Sequence, residues 1–283
     1  MNTELRNTKE HKKDLQMPNF ACAGWGFREL PLPDYFQAAA SLGLSSVEIN
    51  VSTGTPMHLL PDCTDAQVDE VARWAEEAVV RVVSLVGDNI SSPDPTELIA
   101  NIRQLKRLVD IAVRLGSKVV IAYTEAVDTE EVPDEVYTRL HYACNQVGDY
   151  AQMYNVLLAL ENHGGPTATG PRIVKIMEGV RCPAVGINYD PANFLKTGVD
   201  PLIALHYIIQ WVNYSHWKDV RWMNGDTAYC AVGEGEIHWE PIVMELMRAG
   251  FSGYWAIEYE TPDDVVLGTQ ASLAYLRKLL GKD

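Results

Sequence analysis

One stretch of the chain shows how the fold is built. Residues 184–219 read AVGINYDPANFLKTGVDPLIALHYIIQWVNYSHWKD. A short apolar run at Ala184–Tyr189 is followed by a segment of helical period at 200–209 and then by a second run at Trp211–Trp217. Buried parallel strands are apolar on both faces, and a helix is the usual connection between two of them. The stretch therefore predicts a β-α-β unit.

The same alternation of strand and helix extends over nearly the whole chain, and we count eight cycles of it. The predicted strands are Phe20–Ala23, Ser46–Asn50, Val82–Val86, Lys118–Tyr123, Asn155–Glu161, Ala184–Tyr189, Trp211–Trp217 and Tyr254–Glu258. The predicted helices lie near 33–42, 65–80, 95–115, 134–153, 171–180, 200–209, 240–249 and 264–280. The longest irregular stretches, 51–64, 162–170 and 218–238, all follow strands.

Eight such units in 283 residues predict a single-domain α/β fold, the (β/α)8 TIM barrel. Right-handed crossovers place every helix outside the sheet, and closure leaves no edge strand. A doubly wound open sheet is the alternative, but no GxGxxG or GxxxxGK motif follows an early strand. We expect the barrel to span residues 19–283, after a polar, flexible tail at 1–18.

The composition argues against several classes of partner. The chain has 23 Lys and Arg against 38 Asp and Glu, which gives a formal net charge of −15. Phosphate backbones and anionic membranes attract positive surfaces, so we expect no nucleic-acid partner and no membrane contact. The five cysteines are scattered singly, and the N-terminal stretch lacks the apolar core of a signal peptide. These features predict a cytoplasmic protein.

Side chains that can bind a metal stand at the ends of the last four predicted strands. They are Glu161, Asp190, His216 and Glu258. In a barrel these ends meet at the C-terminal mouth, where neighbouring strands are about 4.8 Å apart. Three carboxylates and an imidazole suit Mn²⁺, Mg²⁺, Co²⁺ or Zn²⁺, and the carboxylates would repel one another without a cation. An acidic rim of solvated residues is the alternative interpretation.

Five motifs carry a family resemblance: ALENHGG at 159–165, NYDPANF at 188–194, SHWKD at 215–219, GEGEI at 233–237 and AIEYE at 256–260. Together they resemble the xylose-isomerase-like family of sugar isomerases and epimerases, over roughly residues 19–280. The resemblance implies that Glu161, Asp190, His216 and Glu258 bind one divalent cation. Mn²⁺ is the first expectation, and Mg²⁺, Co²⁺ and Zn²⁺ are the alternatives. It also implies that Glu161 and Glu258 act as catalytic acid and base.

The implied chemistry is proton removal next to a carbonyl. In relatives of this kind the metal chelates a ketone oxygen and an adjacent hydroxyl, and a cation there stabilises the enediolate that forms. Return of the proton to the opposite face is epimerisation, and return to the neighbouring carbon is isomerisation. We therefore expect a metal-dependent isomerase or epimerase of a small keto-sugar or related polyol. Pure metal coordination by Glu161 and Glu258 is the alternative role.

Four residues near the strand ends are candidates for binding substrate. Ketose 3-epimerases of this family carry a histidine three residues after the aspartate ligand, whereas this chain has Asn193, which can hydrogen-bond a hydroxyl but cannot titrate. His163 follows Glu161 by two residues, and a hydrogen-bonded loop histidine is an equal alternative. Lys218 is a candidate for binding substrate oxygens, and Asp219 for orienting a ligand.

Three further candidates lie elsewhere in the chain. Trp25 follows the first strand and would wall a pocket or cap the barrel. Glu48 ends the second strand, where it would face the pocket or pair with a basic side chain inside the barrel. Arg221 lies in the long segment after the seventh strand, which would close over substrate or form a subunit contact. The resemblance leaves a homo-oligomer open.

Other activities compete with isomerisation. The same fold and metal would also serve a dehydratase of inososes or dehydroshikimate, because an enediolate with a leaving group on the β carbon expels it. An abasic-site endonuclease would need further metal ligands and a basic groove, which the acidic balance disfavours. A sugar-binding barrel without activity is the last alternative, and the complete ligand set argues against it.

Overall fold

The computed structural model describes residues 18–124, 131–223 and 225–281. Eight parallel strands close into a barrel, in which each strand pairs with the barrel strands that precede and follow it in the chain and the last pairs with the first. This confirms the predicted (β/α)8 barrel and excludes the open sheet. Most of the predicted tail at 1–18 lies outside the described residues, so it stays a prediction.

The barrel strands are β1 (Asn19–Cys22), β2 (Ser46–Asn50), β3 (Arg81–Asn89), β4 (Val119–Tyr123), β5 (Leu157–Glu161), β6 (Val185–Tyr189), β7 (Val212–Trp217) and β10 (Tyr254–Ile257). The helices are α1 (Leu32–Ser41), α2 (Asp65–Glu77), α3 (Pro95–Leu115), α4 (Asp134–Met153), α5 (Gly170–Glu178), α6 (Pro191–Lys196), α7 (Pro201–Ile208), α8 (Trp239–Arg248) and α9 (Val265–Leu279). Among the residues described, no helix is long and apolar enough to cross a membrane.

Local capping signals fix where the helices begin and end. Thr64 and Gln67 form a reciprocal capping box at the start of α2. Asp94 accepts hydrogen bonds from the first backbone N–H groups of α3, and Gly116 ends that helix with a φ of +73°. A left-handed residue of this kind is tolerated best by glycine. The N-terminal caps of α2 and α3 therefore mark where the connections that follow β2 and β3 end.

Two apolar clusters show how the strands divide their side chains. The larger cluster lies between strands and helices, and it includes Leu158, Leu160, Trp255 and Ile257. The smaller cluster fills the barrel interior with Ala21, Ala23, Val83, Val119, Ile121, Ala159, Tyr214 and Ala256. Because side chains on a strand alternate between its two faces, six of the barrel strands contribute to both clusters, namely β1, β3, β4, β5, β7 and β10. The interior is filled mainly by small residues.

Two elements in the mouth depart from the sequence-based prediction. The segment 218–238, predicted as irregular, contains an antiparallel hairpin of β8 (Asp219–Met223) and β9 (Asp226–Cys230) outside the barrel sheet. Three of the five residues of β8 are exposed and three of the five residues of β9 are partly buried, so the alternation that would have revealed the hairpin is weak. The short helix α6 was also missed. Its six residues are too few for helical periodicity to show.

Candidate metal centre and substrate cavity

The alternation of strand side chains points the candidate ligands into the barrel. Each follows an interior side chain by two residues and therefore lies on the same face of the strand. The pairs are Ala159 and Glu161, Asn188 and Asp190, Tyr214 and His216, and Ala256 and Glu258. The outward neighbours of these residues pack against the helices. One of them, Trp217, stacks on Trp255 with ring centroids 4.0 Å apart.

Glu161, Asp190, His216 and Glu258 converge on one point. Each offers one ligand atom, and these four atoms all lie within 4.8 Å of one another. All four residues are buried. The Nδ1 atom of His216 lies 3.5 Å from Glu161 Oε1 and also 3.5 Å from Glu258 Oε2. The cluster predicted from the strand ends is therefore present in the folded chain.

Hydrogen bonds hold Asp190 and Glu161 in place. The Asn162 side chain accepts a hydrogen bond from the Asp190 backbone N–H at 2.7 Å and donates to the Asp190 carbonyl at 2.8 Å. Asp190 Oδ1 accepts from the backbone N–H of Asn193 at 3.1 Å and so caps α6. The Asn193 amide donates to Glu161 Oε1 at 3.1 Å. Asn193 thus links the ends of β5 and β6.

One lysine compensates the carboxylates. Lys218 Nζ lies 2.8 Å from Glu258 Oε2, 2.5 Å from Glu260 Oε1 and 2.9 Å from Asp190 Oδ2. The contact with Asp190 lacks hydrogen-bond alignment, so a lone pair of Oδ2 stays available to another cation. Four carboxylates, including Glu161, share a single permanent positive charge in this cluster. An uncompensated buried charge is costly, so the cluster favours a further cation.

The pKa values of the two glutamates are displaced in opposite directions. Burial raises the pKa of Glu258 to about 8, although His216 and Lys218 act to lower it. Burial also acts to raise the pKa of Glu161, but His216 and Lys218 outweigh it and bring that pKa down to about 2. Burial acts to lower the pKa of His216, and the carboxylates of Glu258, Glu48 and Glu161 raise it well above its usual value. A dication bound here would favour the ionised carboxylates.

The donor set fits a divalent metal ion. Three carboxylates and one imidazole are typical ligands of Mn²⁺, Zn²⁺ and related ions, and the largest separation of 4.8 Å is close to twice a bond of about 2.2 Å. Glu161, His216 and Glu258 also border an open cavity. The site therefore leaves room for substrate next to the ion, as catalytic metal sites require.

A cavity of about 280 Å³ opens beside these residues at the C-terminal mouth of the barrel. Four of the predicted substrate-binding residues line it, namely Trp25, His163, Asn193 and Lys218. The imidazole of His163 packs against Tyr123, with ring centroids 5.4 Å apart. Trp25 is 37% exposed and covered on one side by the Arg28 guanidinium, 4.9 Å from the ring centroid.

The structure does not bring the other three candidates to the cavity wall. Glu48 is fully buried inside the barrel, where it contacts His216 and not the cavity. Asp219 accepts from the Trp239 indole N–H at 2.7 Å and from backbone N–H groups of the 233–237 segment, so it orders that loop. Arg221 is exposed on β8 and lies 3.5 Å from Glu234.

The residues of the site that sequence reasoning missed include Glu260, Asn188, Asn50 and Tyr229. Glu260 continues the inward alternation of Ala256 and Glu258, so the strand pattern contained its signal. Asn188 precedes Asp190 in the same way, and its amide nitrogen lies 3.1 Å from His216 Nδ1. Asn50 lines the cavity at the end of β2. Tyr229 reaches the cavity from the unpredicted hairpin, where nothing in the sequence signals it.

The family model described as xylose isomerase-like TIM barrel matches residues 36–279. The uncharacterized protein YfiH of Bacillus subtilis (strain 168) is 25% identical, over 86% of this chain and 92% of that protein. An inosose dehydratase of Clostridium tetani (strain Massachusetts / E88) is also 25% identical, over 46% of this chain. The match spans about half of that dehydratase.

Solved structures show the same fold. The IolI protein, solved with a bound zinc atom, superposes with a TM-score of 0.79 at 19% identity, over 94% of this chain and 98% of that one. L-ribulose 3-epimerase gives a TM-score of 0.76 at 14% identity, over 94% and 95% of the two chains. The family model covers most of the chain, and the barrel agrees with it. The chain belongs to the xylose isomerase-like TIM barrel family.

Proposed function

We propose that the chain is a divalent-metal-dependent isomerase or epimerase of a small keto-sugar or related polyol. The observation that carries this proposal is the convergence of Glu161, Asp190, His216 and Glu258 within 4.8 Å beside an open cavity. Hard oxygen ligands and one histidine suit Mn²⁺ best in our proposal, with Mg²⁺, Co²⁺ and Zn²⁺ as alternatives. Membership of the family and the enzymes among its similar structures support the assignment.

In the proposed reaction the chain moves a proton on a carbon next to a carbonyl. When bound, a divalent cation would supply the positive charge that stabilises an oxyanion developing on the substrate. Glu161, with its low pKa, is ionised and accepts the proton. Glu258 lies beside the same His216 nitrogen and is placed to return a proton. Two carboxylates with pKa values pushed apart are typical of an acid and base pair.

Other residues of the cavity would bind and orient the sugar. Asn193 holds Glu161 through its amide and offers hydrogen-bonding groups to a hydroxyl. His163 and Lys218 contribute donors from the same wall. Trp25 gives the cavity an apolar face, which suits the C–H face of a sugar ring. Asn50, at the end of β2, adds a buried amide.

The charges of the cavity favour a substrate without a phosphate group. Among the described residues that line it, Lys218 alone carries a permanent positive charge, and three carboxylates already surround that ammonium. A phosphate would meet Glu258 and Glu260 without a free basic partner. The volume of about 280 Å³ is at the lower end for ligand pockets, which favours a monosaccharide-sized ligand.

A dehydratase is the second candidate. The sequence matches to inosose dehydratases favour it. Lys218 adds a structural reason, because its ammonium lies at the cavity wall beside Glu258, where it would stabilise a departing hydroxide. Elimination begins with the same proton removal, so the two candidates differ only in the later steps.

We test both candidates in heavy water with a panel of unphosphorylated ketoses, keto-sugars and inososes, read by mass spectrometry. An isomerase or epimerase returns an isomer that has gained one deuterium, and a dehydratase returns a product lighter by one water. Glu161→Gln and Glu258→Gln should each lower turnover by about 100-fold or more, whereas Glu236→Gln, an exposed control, should keep it. Near wild-type exchange in both cavity variants would refute the two-glutamate mechanism.

We also propose a reducing compartment, the cytoplasm, for this protein. All five cysteines are free and buried. Burial raises the pKa of the Cys22 and Cys144 thiols to about 12, so neither is a ready nucleophile near neutral pH. The cysteines then serve as small apolar side chains of the core. Fractionation of cells with an antibody against the chain tests the compartment directly.

A further inference from the structure

The two nitrogens of the His216 ring face different surroundings. Nδ1 faces the candidate metal centre, 3.5 Å from an oxygen of Glu161 and 3.5 Å from an oxygen of Glu258. Nε2 points to the barrel interior, where the two carboxylate oxygens of Glu48 lie 3.2 and 3.1 Å away. His216 is 1% exposed and Glu48 is 0% exposed. Water therefore does not compete for this contact.

Small residues in the barrel interior allow Glu48 and His216 to meet across the barrel. Between β2, which carries Glu48, and β7, which carries His216, the barrel order places β1 and β10. The interior side chains of these two intervening strands include Ala21, Ala23 and Ala256. Because alanine side chains are small, they leave space for the Glu48 side chain to extend to the His216 imidazole.

A second set of contacts fixes the Glu48 carboxylate. Ser84 Oγ on β3 donates to Glu48 Oε2 at 3.0 Å. The same hydroxyl lies 2.6 Å from the phenol oxygen of Tyr214, which belongs to the interior cluster two residues before His216. Ser84, which is itself linked to Tyr214, thus holds the Glu48 carboxylate inside the barrel. A buried carboxylate that is held in this way makes a specific contact with the imidazole.

We infer that Glu48 is a positioning residue for the metal centre, an inference that rests on the proposed function. Glu48 accepts the Nε2–H of His216 and fixes the ring orientation, so that Nδ1 faces the candidate metal centre. The Asn188 amide nitrogen also lies 3.1 Å from Nδ1 on that side of the ring. A histidine that binds a metal through one nitrogen needs the other nitrogen to carry the proton. A carboxylate acceptor there also raises the basicity of the ligand nitrogen. Glu48 acts through His216 and touches neither substrate nor metal.

The test compares two substitutions that both remove the charge of Glu48. Glu48→Gln keeps an oxygen that can accept the Nε2–H, whereas Glu48→Leu removes the acceptor. Calorimetric titration of each protein with Mn²⁺ and Zn²⁺ at one fixed pH gives the dissociation constants. We expect a loss of metal affinity of about 10-fold or less for Glu48→Gln and of up to about 100-fold for Glu48→Leu. Cooperative thermal melting shows that each variant is folded.

Each outcome decides the inference. Wild-type affinity in Glu48→Leu overturns it, and an equal loss in the two variants overturns it as well, because that loss would come from charge alone. If Glu48→Leu does not fold, Ser84→Ala takes its place, since it frees the carboxylate without changing the charge, and it should weaken metal binding several-fold. A wild-type protein that binds neither ion refutes the proposed function itself, which keeps the two failures apart.

Discussion

At the scale of single residues, the site is a balance of buried charges. Glu161, Asp190, Glu258 and Glu260 are carboxylates, and within the described part of the chain Lys218 is the one permanent cation that contacts three of them. Burial acts to lower the pKa of Lys218, but Asp190, Glu258 and Glu260 together raise it well above its usual value. The lysine therefore stays charged, and it holds the metal-free site together.

Replacing Lys218 by Met should expose this balance. Removing one partner of a buried charge cluster typically costs about 3–5 kcal/mol, so the free energy of unfolding of the metal-free protein should fall by about 3 kcal/mol. Saturating Mn²⁺ should then raise the melting temperature of the variant more than that of the wild type, because the ion replaces the missing charge. Calorimetric melting with and without Mn²⁺ measures both effects.

Lys175→Met is the matched control for this prediction. Lys175 pairs with Asp134 at 2.7 Å, but both side chains are largely exposed. Exposed pairs contribute little to stability, so this variant should melt close to the wild type and respond equally to Mn²⁺. Equal stability and equal metal response in Lys218→Met would contradict the compensating role of Lys218.

We also expect the stability of the folded chain to depend on pH through His58. Burial lowers the pKa of His58 to about 4, below its usual 6.5. The unfolded chain therefore binds a proton at a pH where the folded chain does not. The stability that His58 contributes is complete above pH 6.5 and falls as the pH drops toward 4, by up to about 3 kcal/mol. His58 stacks on Tyr35, with the ring centroids 5.5 Å apart.

The measurement is denaturant unfolding at a series of pH values for the wild type and for His58→Gln. We expect the stability difference between them to change by about 2–3 kcal/mol between pH 7 and pH 4. His206→Gln, which removes an exposed histidine of α7, should show a much smaller change. A difference that is constant over this range would show that His58 does not titrate on unfolding.

At the scale of elements, the strand ends define the ligands and the loops complete the site. The strands that carry Glu161, His216 and Glu258 were predicted because each is a short apolar run between segments of helical period. The inward position of Glu260 follows from the alternation of side chains after β10. The β8–β9 hairpin does not, because its strands show no regular alternation of buried and exposed residues. The contacts of Asp219 with Gly233 and Ile237 in the following loop also link residues 14 and 18 positions apart, which no local pattern reveals.

Asp219 is expected to stabilise the loop that follows β9. Its carboxylate accepts from the backbone N–H groups of Gly233, Gly235 and Ile237 and from the Trp239 indole. In Asp219→Ala these donors lose a charged acceptor, so we expect the free energy of unfolding to fall by about 3 kcal/mol. Hydrogen exchange of the 231–238 segment should rise sharply.

Asp226→Ala is the control within the same hairpin. Asp226 is exposed and accepts only from the neighbouring Thr227 N–H, at 2.7 Å, among the hydrogen bonds of the described residues. This variant should keep wild-type stability and exchange. If Asp219→Ala behaves in the same way, Asp219 does not organise the loop.

At the scale of the whole molecule, the sequence predicted the closed barrel and the group of four side chains. Eight repeated units and the position of polar residues at strand ends contain that information. Contacts between distant strands, such as Glu48 with His216, do not follow from local patterns. They depend on which interior side chains are small. The substrate residues at the mouth were predicted only in part for the same reason.

We propose that Glu161, Asp190, His216 and Glu258 together hold one divalent cation. A crystal of the protein grown with Mn²⁺ and measured for anomalous scattering tests it most directly. We predict one strong peak per chain, about 2.0–2.4 Å from one atom of each of the four side chains, and loss of that peak in Asp190→Ala. If crystals grown at saturating Mn²⁺ show no anomalous peak between these four residues, the residues do not form a shared metal site.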